Sequence, residues 1–435
     1  MGSSFTKWRR LPHRELAMAK IRALTGHVRL PPGGLRRLDE GERSDRCIFQ
    51  KLGQKHGPIF KGVIDSRLAV CVIGNQAARR LLRENSTAIK PVTIDVSRLF
   101  PGEFMRGMGG AAHKTYRSAL VKALGAIDLE ALTSTMHLTV NDALSSFTRS
   151  DPDPRKHFDN YRRWSEALST ISSGMLIQLV FGAARGSDLF DQLMDGYHDL
   201  GPKGVVWNIE ARQVAAYAGL RVRLEEDMPR GEIPNLFSVI SDEGPVDDTM
   251  LGNLIYMVET GRYDLRGLFR WIAKYGAEHP EWMHQIAAAD CGHRKVLSEA
   301  FVLEVLRLDQ SERLMRHVLQ DFVFDGFLIP KGALLRLCMW ESHKDATTFG
   351  EPFVFDPGRF LNGKSYGEKF SPFGLDQHRC PLADISIWLA SIFLAELACN
   401  FDVSASGGEP AVRGPYHWEP SPDFEITLAP RNLDD

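Results

Sequence analysis

The 435-residue sequence contains no run of eighteen or more apolar residues. A helix needs about 20 such residues to cross a bilayer core, so no transmembrane segment is expected. Its six cysteines, Cys47, Cys71, Cys291, Cys338, Cys380 and Cys399, include no CxxC pair and no short spacing. That argues against a disulfide framework and for free thiols in a reducing compartment. The formal net charge is only -2, from 53 basic and 55 acidic residues, so nothing favours nucleic acid or an acidic substrate. There is no internal repeat, no low-complexity tract and no Pro/Ser/Gly-rich linker between independently patterned halves. Met1 to Gly34 is basic and mildly amphipathic but lacks the apolar stretch of a signal peptide. Residues 1–34 are therefore expected to form a polar, partly disordered leader or a helix packed on the body, and residues 35–435 a single domain.

What is present is a large potential core: 43% of residues are hydrophobic and 25% charged, as in soluble globular proteins. Pro58 to Val63 alternates and Leu68 to Ile73 is a buried apolar run, which predicts two strands followed by a helix. Helical periodicity dominates from about residue 110 to 310, including Ala167 to Phe181, Met250 to Tyr275 and Lys295 to Leu308. Strand-like pieces return at Phe322 to Leu328 and Ala333 to Met339, followed by an irregular Pro-, Gly- and Asp-rich stretch. A strongly apolar helix is expected from about Pro381 to Cys399, with proline in its first turn. The fold class is mainly α with a minor β-sheet.

Cys380 stands apart from the other thiols. It follows Gln377-His378-Arg379, precedes Pro381 and sits at the mouth of that helix. A helix N-terminus and adjacent cationic groups favour the thiolate, and a thiolate is a competent axial ligand for haem iron. Phe373 and Gly374 suit a loop lying under a flat macrocycle.

Phe370 to Ala383 resembles the cysteine loop of the cytochrome P-450 family, F-G-x-G-x-[RH]-x-C-x-G: Phe373, Gly374, His378 and Cys380 match, whereas Asp376 and Leu382 replace two glycines. Glu304-Val305-Leu306-Arg307 matches the family's ExxR, and Phe355 to Phe360 resembles its P-x-R-F segment through Arg359. Glu304 and Arg307 share one helical face and, with Arg359, would form a buried network. The resemblance further implies that His113, Arg117, Arg316 and His378 contact the propionates of haem b (iron protoporphyrin IX), whose carboxylates need cationic or N–H partners.

The chain departs from the family where the oxygen-side helix normally reads A-G-x-[DE]-T. Counting back without gaps from His279-Pro280 places that motif on Thr260-Gly261-Arg262-Tyr263-Asp264, which keeps only Gly261. A second register would put Glu259-Thr260 on the acid–alcohol pair. In the first register Asp264 faces the haem pocket, with Thr260, Gly261 and Tyr263 beside it. Alternatively the helix is rotated and Asp264 pairs with Arg262, Arg266 or Arg270.

The resemblance implies a monooxygenase or oxidase acting on a small organic molecule. Substrate contacts are expected from Thr93 to Phe104, from helices near 195–217 and from 256–264. No flavin or iron–sulfur domain is fused in this sequence, so electrons are expected from a separate ferredoxin or flavoprotein attracted by Lys114, Arg117, Lys122 and Arg379. Loss of the acid–alcohol pair raises a second reading: a peroxide-dependent enzyme, or an isomerase, dehydratase or cyclase assisted by Asp264. A third is a non-catalytic haem-binding scaffold. A cytoplasmic, monomeric protein is expected, without nucleic-acid partners.

Overall fold

A computed structural model describes residues 11–93, 95–100, 102–149, 158–201, 209–227, 233–310, 313–361, 366–414 and 417–431. Two compact units are present, each gathered from separated segments. One comprises Met1–Thr93, Arg307–Phe355 and Ser365–Cys380; the other comprises Ile94–Leu306, Asp356–Lys364 and Pro381–Asp435.

The first unit is built on a five-stranded sheet. Strands β1 (Ile59–Ile64) and β2 (Arg67–Ile73) form an antiparallel hairpin. Its two-residue turn, Asp65-Ser66, has positive φ at both positions (49° and 59°), the twist that tight hairpins favour. Helix α1 (Leu11–Thr25) docks on this sheet: the Leu68 amide donates to Glu15 Oε2 at 3.3 Å. The 1–34 leader thus contains a packed helix, and its residues 1–10 lie outside the described residues. After β2, Gly74 (φ 109°) lets the chain turn into α2 (Asn75–Glu84).

Strand β3 (Ile89–Pro91) pairs with β4 (Arg313–Val318), β4 with β5 (Leu334–Cys338), and β5 runs parallel to β2. The order is β1-β2-β5-β4-β3. One face of the sheet is sealed by Ile59, Val70, Val72, Leu81, Leu335 and Leu337. Truncating a buried leucine of this kind costs about 2–5 kcal/mol.

The second unit is mainly helical: α3 (Gly110–Ala126), α4 (Leu129–Thr148), α5 (Asp159–Phe181), α6 (Asp248–Glu278), α7 (Pro280–Ala288), α8 (Cys291–Val305) and α9 (Ala383–Asn400). α5 ends where Gly182 adopts φ 65°. The 31-residue α6 starts at an Asp247 cap whose carboxylate accepts from the Met250 amide at 2.7 Å, and it stops at His279-Pro280. It packs along α5 and, through stacked Phe269 and Phe393 rings 4.4 Å apart, on α9.

α9 is the one described helix long and apolar enough to cross a membrane, and 56% of it is buried in this unit against α4, α6, α7 and α8. Asp384, Ser386, Ser391, Glu396 and Asn400 interrupt its apolar residues, so it is not a continuous apolar run. Strands β6 (Phe401–Ser406) and β9 (Glu425–Pro430) pair beside it. The short hairpin β7 (Val412–Arg413) and β8 (Trp418–Glu419) is tied to α6 by Trp271 Nε1 donating to the Trp418 carbonyl at 3.0 Å.

Candidate functional site

In the first unit the cysteine loop closes on itself. The Cys380 amide donates to the Phe373 carbonyl at 2.8 Å, and the Arg379 amide to the Asp376 carbonyl at 3.0 Å. Gly374 has φ 91° and Asp376 φ 51°, so the first two of the three positions at which the family pattern has glycine keep left-handed backbone. Asp tolerates that region better than most residues. Leu382, at the third glycine position, has φ -89° and is buried; ordinary backbone there demands no glycine. Both departures from the motif are therefore compatible with the loop's shape. Cys380 is in no disulfide and is half-buried; Phe373 and His378 are half-buried and Arg379 is exposed. Arg316 on β4 is buried, with Nη1 donating to the Met315 carbonyl at 2.9 Å.

The loop's lead-in rests on His343, whose Nε2 accepts from the Ser371 amide at 3.0 Å. Burial, then the charges of Lys344 and Arg307, push this imidazole well below the ordinary 6.5. A proton is thus bound more readily by the unfolded chain, so stability is retained above about pH 6.5 and falls as pH drops below it, by up to about 1.4 kcal/mol per pH unit. His343→Gln should flatten that acid limb in a series of denaturant titrations between pH 7 and 5; an unchanged slope would show that His343 is not its source.

The ExxR arginine, Arg307, is fully buried in this unit and donates to three carbonyls, His343 at 3.1 Å, Pro352 at 2.6 Å and Val354 at 3.2 Å. In the second unit, fully buried Glu304 accepts from the Asp356 amide at 2.9 Å and from Arg359 Nε at 3.3 Å.

On α3, His113 is buried and Arg117 half-buried one turn later. Burial, then Arg117, lowers the His113 pKa, leaving it a neutral N–H donor near pH 7. Of the proposed docking cations, Lys114 is exposed, whereas Lys122 pairs with Glu243 at 2.5 Å.

α6 separates the two registers. Met257, Thr260, Gly261 and Asp264, spaced i, i+3, i+4 and i+7, are less buried than most of its residues and form one stripe. Asp264 is the most open of them, its side chain 62% exposed, and it binds His417 Nε2 at 2.7 Å. Glu259, the acid of the second register, is buried in an ion pair with Arg262 at 2.8 Å. Thr260 Oγ1 donates back to the Tyr256 carbonyl at 3.0 Å.

Tyr263, placed beside the site from sequence, is turned into the unit instead. Its hydroxyl donates to the Gly201 carbonyl and accepts from Arg262 Nη2 at 3.1 Å. Gly261 serves helix packing, since a β-carbon there would lie 3.0 Å from Leu176 Cδ1 of α5. The arginine stripe is paired rather than solvated: Arg266 donates to Ser169 Oγ at 3.2 Å, and Arg270 to Glu419 at 2.5 Å and Ser165 Oγ at 2.9 Å.

The segments named for substrate contact converge on α6. The Met105 amide, just after the Thr93 to Phe104 loop, donates to Asn253 Oδ1 at 2.7 Å; Phe104 meets Tyr256 edge-on at 4.5 Å; and Tyr197 donates to the Ile255 carbonyl at 3.1 Å. Within these segments Ile94, Pro101 and 202–208 lie outside the described residues. Sequence reasoning missed His417: it lies 153 residues from Asp264, on a hairpin with no motif of its own.

Among the described residues no three His, Cys, Asp or Glu side chains are grouped to hold a metal ion. A metal at Cys380 must therefore bring its other ligands with it, as the iron of a porphyrin does. Within the first unit, the Cys380 thiol, the left-handed loop beside it and the side chains of Arg316 and His378 are of the kinds such a group needs.

Residues 283–415 match the cytochrome P-450 family model. Over 433 aligned residues the chain is 24% identical to abscisic acid 8'-hydroxylase 2 of Arabidopsis thaliana, covering 89% of this chain and 88% of that protein. It is 34% identical to cytochrome P-450 1A1 of Cavia porcellus over 117 residues, 25% of this chain and 23% of that protein. Among solved structures, cyanobacterial CYP120A1 with bound retinoic acid superposes with a TM-score of 0.71 at 20% identity, covering 93% of this chain and all of that one. A zebra fish cytochrome P-450 with abiraterone gives 0.69 at 17% identity, over 88% and 99% of the two chains. The C-terminal third of the chain thus matches the cytochrome P-450 family model, and most of its length is similar in sequence and in fold to cytochrome P-450 oxidoreductases.

Proposed function

We propose that this protein is a haem-thiolate monooxygenase acting on a small organic molecule, with Cys380 as the axial ligand of haem b. The observation that carries the reading is the closed Phe373–Cys380 loop, which holds a half-buried cysteine behind left-handed turns at Gly374 and Asp376. The family resemblance assigns Arg316, His378, His113 and Arg117 to the haem carboxylates and Phe373 and Gly374 to the ring. When bound, the haem supplies an iron at which oxygen is activated for transfer to the substrate. Residues 35–435 act as one haem-thiolate domain in this reading. Electrons come from a separate ferredoxin or flavoprotein, with Lys114, Arg117 and Arg379 as steering charges. A cytoplasmic, monomeric state belongs to the same proposal and rests on the burial of α9 within its own unit.

The chain's own proton chemistry centres on Asp264. Its carboxylate sits on the open stripe of α6 with His417 fixing one oxygen, so it can pass protons or hold a cationic or N–H group of the substrate. Asp264→Asn and His417→Gln should each lower turnover by at least about tenfold, since positioned acid–base groups contribute about 10²–10⁴, while haem content stays constant. Unaltered turnover in both variants would remove the pair from the chemistry.

One observation favours a second reading, in which peroxide-driven or rearrangement chemistry replaces reductase-driven oxidation. The open stripe carries Thr260 and Asp264 one turn apart rather than an adjacent acid–alcohol pair: Thr260 is bonded to its own helix and Tyr263 is turned inward. Turnover with peroxide, or with substrate alone, in the absence of NAD(P)H and reductase would establish it. Turnover that depends strictly on both would dismiss it.

A further inference from the structure

We propose that Asp376, gripped by Arg79 and Arg83 of α2, is a positioning residue that fixes the Cys380 loop in its ligating shape; this rests on the reading of Cys380 as the iron ligand. Asn75, Arg79 and Arg83 recur at four-residue spacing and so share one face of α2. All three reach the chain that leads into the loop. Asn75 Nδ2 donates to the Lys369 carbonyl at 2.6 Å. Arg79 donates to Asp376 Oδ1 at 3.0 Å through Nη1 and to Ser371 Oγ at 2.6 Å through Nη2. Arg83 Nη2 reaches Glu368 at 2.7 Å and Asp376 at 3.4 Å. One rigid helix therefore grips residues 368, 369, 371 and 376, the last only four positions before Cys380.

The members of this cluster do not weigh equally. Arg83 and Glu368 have side chains 57% and 50% exposed, where an ion pair contributes little. Arg79 and Asp376 are only 16% and 20% exposed, so their pair is less screened and carries most of the grip. Asp376 occupies left-handed backbone at φ 51°, a position a glycine would take without any partner. Its own carbonyl accepts the Arg379 amide, so holding Asp376 also holds the short 3₁₀ turn Asp376–His378 and, beyond it, Cys380. In this chain a side-chain tether does what backbone freedom does elsewhere: the loop's geometry depends on a charge pair rather than on glycine.

The test compares Asp376→Asn, Arg79→Met, their double variant and Arg79→Lys with the unaltered holoprotein. Three quantities are read: the ratio of neutral-ligand to thiolate-ligated forms in the reduced carbon monoxide complex, total haem, and amide exchange at Arg379 and Cys380 in the haem-free chain. Each single variant should raise the ligation ratio and both exchange rates by roughly fivefold or more, the effect of losing one modest interaction. The double variant should add little to the worse single one, because the two residues act together. Arg79→Lys should recover part of the loss, with total haem unchanged throughout. Variants that keep the original ratio and exchange rates would overturn the proposal. So would variants that lose haem and stability with the ratio unmoved, which is what a merely structural contact does. If the unaltered protein forms no thiolate complex, it is the reading of Cys380 that fails, and amide exchange alone then decides whether the grip on the loop exists.

Discussion

Glu304→Ala is expected to destabilise the protein by about 3–5 kcal/mol, the penalty for removing one partner of a buried charge pair. Glu304 is fully buried and accepts both the Asp356 amide and Arg359 Nε, whose side chain is only 10% exposed. Without the carboxylate, the guanidinium and the amide face each other's side of an emptied space. The Asp356 carboxylate, 3.9 Å from Arg359 and half exposed, is too distant and too solvated to take over. Against a total stability of about 5–15 kcal/mol, the loss is a third or more. Denaturant titration measures it directly. Replacing both Glu304 and Arg359 by leucine should recover much of the deficit, because the unpaired charge goes too. A Glu304→Ala midpoint within error of the original would mean that the pair contributes nothing and that the ExxR glutamate is kept for another reason.

The second large effect is on ligation rather than on folding. Cys380→Ser should leave the chain folded, because the loop's closing bond runs from the backbone amide of residue 380 to the Phe373 carbonyl and involves no thiol. The thiolate signature of the ferric spectrum should vanish, since serine's hydroxyl is not ionised at neutral pH. Activity that depends on electron donation from sulfur should vanish with it. The two sheet cysteines offer no replacement. Cys71 and Cys338 are fully buried in the sheet, and burial raises the Cys338 thiol well above its ordinary range. An unchanged ferric spectrum in Cys380→Ser would end the assignment.

The parts of this fold that could be read in advance are those whose signal is local. The alternating Pro58 to Val63, the apolar Leu68 to Ile73 and the proline ahead of the last helix each specify an element through neighbouring residues alone, and β1, β2 and α9 lie where those signals point. The motif residues Glu304, Arg307, Arg359 and Cys380 could be named because their spacing is fixed along the chain.

What stayed hidden is set by contacts distant in sequence. Asp264 was singled out for breaking a pattern, but its partner His417 comes from a hairpin that only the folded α6 brings near. Tyr263 was grouped with it by adjacency; on a helix, adjacent residues point about 100° apart, so the neighbour of an open position faces inward. Likewise Asp376 could be read only as a replaced glycine, because its partner Arg79 lies 297 residues earlier.

The most direct test of the central claim is the absorption spectrum of the purified, reduced, carbon monoxide-bound protein. A strongly red-shifted Soret band is predicted, as a thiolate from Cys380 on a reducible haem iron would give. A band at the position of a neutral ligand, or a protein that takes up no haem, would contradict it.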